Sequence, residues 1–195
     1  NAGQTVTDDF TITASDGNTE TITITITGAE DPIAVSGNTV GTLTEDAAST
    51  TGALVGTEVD TADGAVTWTA ETTVAGDNAR GEFSIDTSGN WSFDLTDTAA
   101  ANALSAGESL LDTHTFTVEN ANGEPVTQEV TVTITGAEDP IAVSGAIAGT
   151  LTEDAASTTG ALVGTEVDTS DGAVTWTSET TVAGDNARGE FSIDT

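Results

Sequence analysis

Residues 28–87 recur as residues 136–195 with 55 of 60 positions identical and no gaps, at an offset of 108 residues. Each copy opens on Gly-Ala-Glu-Asp-Pro (Gly28 to Pro32, Gly136 to Pro140) and closes on Gly-Glu-Phe-Ser-Ile-Asp-Thr. Solenoid units run about 20–50 residues, so this period is too long for one of them. It is the size of a complete small domain, and the chain reads as a string of near-identical domains. Residues 28–135 make one complete repeat. Residues 1–27 align with the end of a repeat, Gly3 with Gly107, Phe10 with Phe116 and Asp16-Gly17 with Asn122-Gly123, and are expected to be its closing strands. Residues 136–195 are the N-terminal half of the next repeat and stop inside an expected hairpin, so the chain reads as a window on a longer array. Repetition of this kind serves length, valency and stiffness, which catalysis rarely needs.

Charge narrows the partners. The chain carries 33 Asp and Glu against two Arg (Arg80 and Arg188), no Lys, and a formal charge of −31. So acidic a chain repels nucleic acid and anionic membranes. No run approaches the roughly 20 apolar residues of a membrane helix, so no membrane insertion is expected. High charge with few aromatics is also a signature of disorder, but 36% of the residues are hydrophobic and they are patterned. With no Cys there is no disulfide, and with no Lys there is no Lys–Asn isopeptide bond. Of the usual reinforcements of a small domain, a bound metal is the one this composition permits, and the carboxylate excess suits a hard cation.

The pattern is that of strands. Glu20 to Thr27 alternates threonine with Ile22, Ile24 and Ile26, and Val130, Val132 and Ile134 repeat the alternation. Period two with β-branched residues describes a strand buried on one face. Val66 and Trp68 form another strand, and Phe83 and Ile85, then Trp91, Phe93 and Leu95, flank the turn Asp86-Thr-Ser-Gly-Asn90 as a hairpin. Phe116 and Val118 precede the turn Asn120-Ala-Asn-Gly123. Only Asp97 to Ser105 looks helical, with an Asp cap, an alanine-rich turn and Gly107 to stop it. About seven short strands per repeat, with turn signals every 8–12 residues or so, predict an all-β fold of tandem immunoglobulin-like, cadherin-like antiparallel β-sandwich domains. Trp68, Phe83, Ile85, Trp91, Phe93, Phe116, Val118, Val132 and Ile134 are the expected core.

Gly81-Glu-Phe-Ser-Ile-Asp-Thr-Ser-Gly-Asn-Trp-Ser-Phe-Asp-Leu95, Ala103-Leu-Ser-Ala-Gly-Glu108, Asp112-Thr-His-Thr-Phe-Thr-Val118 and Val130-Thr-Val-Thr-Ile-Thr-Gly136 together resemble the VCBS-type repeat of large bacterial RTX adhesins exported by type I secretion. The resemblance implies tandem Ig-like extender domains on the cell surface or in the biofilm matrix, often rigidified by calcium between domains. The linker of that family usually reads Gly-x-Asn-Asp-x-Pro, and Glu30 and Glu138 stand here at the Asn position.

The residues themselves point to a cation through clustering. Glu30, Asp31, Glu45, Asp46, Glu58, Asp60 and Asp63 follow one another without an intervening base. If the linker Glu30-Asp31 and the loops holding Glu45-Asp46 and Asp60 and Asp63 meet at one pole, their mutual repulsion calls for a cation. Two carboxylates ~4 Å apart repel by about 1 kcal/mol in water and ~4 kcal/mol at an effective dielectric near 20. Ca²⁺ takes about 6–8 oxygens in irregular geometry and is the expected ion. The expected ligands are Glu30, Asp31, Glu45, Asp46, Asp60 and Asp63, and in the next copy Glu138, Asp139, Glu153, Asp154, Asp168 and Asp171. No EF-hand spacing is present, so the ligands are discontinuous, as in a cadherin-like junction; the bland alternative is an acidic solvated surface. Oxygens at Asp16, Asn18 and Glu20, and again at Asn120, Asn122 and Glu124, offer a second candidate, for which an ordinary hairpin turn is the preferred reading.

Catalytic readings find no support: no Cys, no Ser in a nucleophile elbow, no phosphate loop, and one histidine, His114, whose parity matches Phe116 and Val118. Arg80 and Arg188, among acids, are expected in structural salt bridges. The sequence thus predicts a non-enzymatic, Ca²⁺-rigidified extender of a long extracellular adhesin or biofilm-matrix fibre, partnered by neighbouring repeats of the same chain, with like chains in a fibre as the further candidate partner. Its rivals are a glycan-binding repeat acting through avidity and a filament subunit joined by strand exchange between chains.

Overall fold

The structure, a computed structural model, describes residues 2–194. Residues 1 and 195, the outer limits of the two expected partial repeats, lie outside the described residues. The chain forms two compact units, one of Asn1–Leu43, Ala47–Asp97 and Leu111–Thr133, the other of Thr44–Asp46, Thr98–Leu110 and Ile134–Thr195.

Strands β1 (Thr5–Thr13) and β2 (Thr19–Thr27) form an antiparallel hairpin in which Phe10 faces Ile22. The complete repeat follows with β3 (Ala34–Gly37), β4 (Val40–Thr44), β5 (Ser49–Thr57), β6 (Thr67–Trp68), β7 (Glu71–Ala75), β8 (Gly81–Ile85), β9 (Asn90–Leu95), a single helical turn α1 (Thr98–Ala101), β10 (Ser109–Glu119) and β11 (Pro125–Thr135). These strands make a four-stranded sheet in the order β4-β11-β10-β6 and a five-stranded sheet in the order β3-β5-β9-β8-β7, the two layers of an Ig-like sandwich. Strand β3 pairs antiparallel with β5, β5 with β9, β9 with β8 and β8 with β7. One pairing departs from the expected antiparallel scheme. Thr131 N–H donates to Thr39 O and Glu45 N–H to Thr135 O, so contacts ascend both chains together and β4 runs parallel to β11.

All nine residues of the expected core are buried, with Leu43, Leu54 and Val130 beside them. Each large apolar side chain withdrawn from water contributes about 1.5–3 kcal/mol. The Phe83 and Phe93 rings are tilted at 59° with centroids 4.8 Å apart, a geometry that aromatic quadrupoles favour. Trp91 lies over Gly52, where a Cβ would come within 2.5 Å of the indole, and its Nε1–H donates to Asn38 O at 2.8 Å. The expected helix at Asp97 to Ser105 shortens to Thr98–Ala101. An isolated helical turn has no cooperative length to sustain it, and the buried Ala101 and Leu104 tie the segment to its own surroundings instead.

In the second unit β12 (Ala142–Gly145) pairs with β13 (Leu162–Thr165), and β14 (Glu179–Ala183) with β15 (Glu190–Ile193). They reproduce the β3–β5 and β7–β8 registers, Val143 opposite Gly164 as Val35 is opposite Gly56. Strand β13 is shorter than β5 for a direct reason. Ser49 to Ala53 pair with β9, and residues 136–195 hold no counterpart of β9. For the same reason Phe191 is 70% exposed while its equivalent Phe83 is fully buried.

Candidate metal sites

The carboxylates meet in three groups whose ligand atoms all lie within 4.8 Å of one another: Glu30, Asp60 and Asp63; Glu45, Asp139 and Asp168; and Glu138, Asp168 and Asp171. Two oxygens on opposite sides of one Ca²⁺, each about 2.4 Å from it, are ~4.8 Å apart, so each group has the dimensions of a single coordination sphere.

The first group sits where the linker enters the repeat. Asp31 N–H donates to Asp60 Oδ2 at 3.2 Å, which aims the Asp60 side chain at the linker and lowers its pKa. Glu58 Oε1 accepts from the N–H groups of Val59 and Asp60, and Glu58 Oε2 from Asn120 Nδ2 at 3.1 Å; the Asn120 bond leads the causes that keep the Glu58 carboxyl low. Asn122 Nδ2 donates to Asp63 Oδ1 at 2.8 Å. The other oxygen of Asp63 is buried and has no hydrogen-bond partner. Burial, then the charges of Asp60, Glu124 and Glu58, raise the Asp63 pKa. Glu30 is pushed up to about 7 by the desolvation of its carboxyl among these groups and by the charges of Asp63, Glu124 and Asp60.

The second group draws on both repeats. Because β4 is parallel to β11, both strands end at the same edge, and Glu45 emerges beside the chain that leads to the next repeat. Its Oε1 accepts from Ala137 N–H at 2.6 Å, while its Oε2 is buried and without a partner. Burial raises the Glu45 pKa, opposed by the Ala137 bond and helped by the charges of Asp139, Asp168 and Asp46. Asp139 N–H donates to Asp168 Oδ2 at 3.0 Å, the counterpart of the Asp31–Asp60 bond, and Asp168 Oδ1 is again buried and unpartnered. Residues Glu45 and Asp168 are 3% and 1% exposed. A buried carboxylate oxygen without a donor costs several kcal/mol unless a cation or a proton meets it. In the third group the charge of Asp171, ahead of desolvation, raises the Glu138 pKa, and Glu138, Asp139, Glu166 and Asp171 line an open acidic pocket.

This arrangement revises the expected one. Glu45 was expected at one pole with Glu30, Asp60 and Asp63; it joins Asp139 and Asp168 of the following repeat instead. Asp46 is exposed, enters none of the three groups among the described residues, and raises the Glu45 pKa through its charge. Asp31 contributes its backbone N–H. Glu153 and Asp154, the counterparts of Glu45 and Asp46, are exposed and enter none of the three groups among the described residues. The two turns behave as hairpin turns: Asp16 Oδ1 accepts from Asn18 N–H, and Asn120 Oδ1 from the N–H groups of Asn122 and Glu124. The second turn has a role that the sequence did not disclose, since Asn120 and Asn122 brace Glu58 and Asp63.

The raised carboxyls set a pH dependence. A carboxyl whose folded pKa lies above its unfolded value favours folding when protonated, so its penalty is absent below the unfolded value and grows as pH rises through the window. For Glu30 that window runs from 4.5 to about 7. Asp60 and Glu58 shift the opposite way, and their stabilisation is lost only below their ordinary values of 3.8 and 4.5. In metal-free buffer the melting temperature should therefore climb as pH falls from 8 to 5.5, and Glu30→Gln should flatten the climb. A melting temperature that is level or falls over that range contradicts the assignment.

The bacterial Ig domain profile matches residues 29–133, the complete repeat almost end to end. The chain belongs to the bacterial Ig domain family. Members are typically non-catalytic structural domains and are commonly extracellular or surface-exposed. No curated protein matches the chain. No helix among the described residues is long and apolar enough to cross a membrane.

Proposed function

We propose that this bacterial Ig chain is a non-enzymatic extender segment of a long extracellular adhesin or biofilm-matrix fibre, and that Ca²⁺ at its repeat junctions stiffens it to project a distal binding domain. One observation carries the reading: Glu45 of one repeat joins Asp139 and Asp168 of the next around buried carboxylate oxygens that lack donors. A cation held there ties two repeats together, and bending would have to pull its ligands apart. The donors are all carboxylate oxygens, the hard ligand set that Ca²⁺ accepts in irregular geometry and that Mg²⁺, with its tighter octahedral demand, suits less well. The likeness to VCBS-type repeats of RTX adhesins agrees with this role. A glycan-binding repeat draws little support, because Trp68 and Trp91 are 3% and 2% exposed and offer no aromatic platform.

Strand exchange between chains has one observation in its favour. Val6, Phe10, Ile12, Ile22, Ile24 and Ile26 of the β1–β2 hairpin are exposed, whereas Phe116, Val118, Val130, Val132 and Ile134 of the corresponding strands are fully buried. Small-angle scattering of a chain of several complete repeats tests both readings. Saturating Ca²⁺ should lengthen and stiffen the particle at constant mass, and KCl at matched ionic strength should not. Equal stiffening by KCl removes the calcium reading, and mass that grows with concentration favours strand exchange.

A further inference from the structure

We propose that each junction holds two divalent cations, not one, and that Asp168 bridges them. The inference rests on the calcium reading above and adds the number of ions, their order and the residue that couples them. Asp168 is the only residue common to two of the three carboxylate groups among the described residues, with Glu45 and Asp139 in one and with Glu138 and Asp171 in the other. A carboxylate has two oxygens and about four lone-pair positions. On Asp168 one oxygen accepts a single N–H bond, from Asp139, and the other is buried without any donor. Such a side chain, 1% exposed, is built to serve an acceptor-hungry neighbour on each side.

Charge decides between one ion and two. Glu45, Asp139, Asp168, Glu138 and Asp171 supply five carboxylates to the joined groups. Fully ionised, they leave a net charge of about −3 around one divalent cation and about −1 around two, and unbalanced charge in a partly dry site is strongly unfavourable. Glu166 lies beside them and adds a further negative charge at Glu138.

The two ions differ in what they require. The inner one, between Glu45, Asp139 and Asp168, needs residues from consecutive repeats. The outer one, between Glu138, Asp168 and Asp171, needs residues from a single repeat, and the complete repeat holds the same trio as Glu30, Asp60 and Asp63. There the orphaned buried oxygen belongs to Asp63, which is 6% exposed, and the Asn120 to Glu124 turn braces the trio. The outer site therefore fills within a repeat, and the inner site fills only when the preceding repeat delivers its Glu45. Asp168 belongs to both groups, so its loss removes a ligand from each ion, whereas Glu45 and Asp171 each serve one ion alone.

The 195-residue chain makes the test countable. Its described residues hold one inner site and two outer sites, so three tightly bound Ca²⁺ per chain are expected by native mass spectrometry or by equilibrium dialysis with elemental analysis in KCl. Glu45→Gln should remove one ion, Asp171→Asn one, and Asp168→Asn two, each checked for an unchanged far-ultraviolet dichroism spectrum. Should Asp168→Asn perturb the fold, the separate single losses in Glu45→Gln and Asp171→Asn still establish two distinct ions at the junction. A wild-type count of two, or an Asp168→Asn variant that folds and loses only one ion, overturns the shared pair while leaving junctional calcium intact. No tightly bound Ca²⁺ at all overturns both.

Discussion

Asp112→Ala should destabilise the complete repeat by about 3–5 kcal/mol, among the largest effects of any single substitution outside the aromatic core. Asp112 is fully buried, and its carboxylate accepts four backbone N–H groups: Asn78 and Thr113 on Oδ1, Arg80 and Gly81 on Oδ2, at 2.8–3.0 Å. Alanine would leave these donors facing a void at the base of β8. Gly76 is part of the same fit, since a Cβ there would come within 2.3 Å of the Asp112 carboxylate. The carboxylate braces the Gly76 to Gly81 loop without dictating its shape. Ala79 has φ of 53°, and Ala187 has φ of 52° in the second copy, where residues 136–195 contain no equivalent of Asp112. The cost of Asp112→Ala is therefore lost bonding, with the loop's left-handed residue retained. The nearby Arg80–Asp97 bridge, 2.6 Å long with both side chains 31% exposed, contributes at most about 1 kcal/mol by comparison. Urea unfolding followed by tryptophan fluorescence measures the difference. A loss below 1 kcal/mol would mean that water replaces the carboxylate.

The fold was legible in the sequence because strand alternation and turn chemistry are local. Parity alone placed Trp91, Phe93, Phe116 and Val118 inward, and all are buried. Parity does not say whether a covering sheet exists. Ile22, Ile24 and Ile26 show the same alternation as Val130, Val132 and Ile134, yet the first three are exposed and the last three fully buried. Asp112 was also within reach. It shares the inward parity of His114, Phe116 and Val118, and an acid at such a position must find donors. His114 met the expectation of a half-buried residue: it packs against Phe83 and Phe116 and lies 2.7 Å from Glu71 Oε2. Glu45 was misplaced because its destination depends on strand direction. An antiparallel β4 would return it toward the start of its own repeat, whereas the parallel pairing with β11 delivers it to the next one. Nothing local to Thr44-Glu45-Asp46 records that choice.

Saturating Ca²⁺ should raise the melting temperature of this chain by more than about 10 °C over the metal-free protein at pH 7.5. A ligand at one hundred times its dissociation constant that binds only the folded state adds about 2.7 kcal/mol per site. Two sites at one junction thus add about 5 kcal/mol, and each kcal/mol moves a domain of this size by roughly 2–8 °C. The starting point makes the gain larger. Without metal, Glu45 Oε2, Asp63 Oδ2 and Asp168 Oδ1 are buried with no donor, and burial and neighbouring negative charge raise the pKa values of Glu30, Glu45, Asp63 and Glu138. Ca²⁺ competes with the proton for Glu30, whose pKa is pushed up to about 7, so the gain should shrink as pH falls below that value. Mg²⁺ at the same concentration should give a smaller rise, because it keeps its waters and asks for a regular octahedron. KCl at matched ionic strength separates coordination from screening. Screening acts on all 33 carboxylates alike and weakens repulsion everywhere, but it supplies no ligand-sized charge to the buried oxygens. If KCl reproduces the full rise, the carboxylates at the junction are a solvated acidic surface and hold no ion.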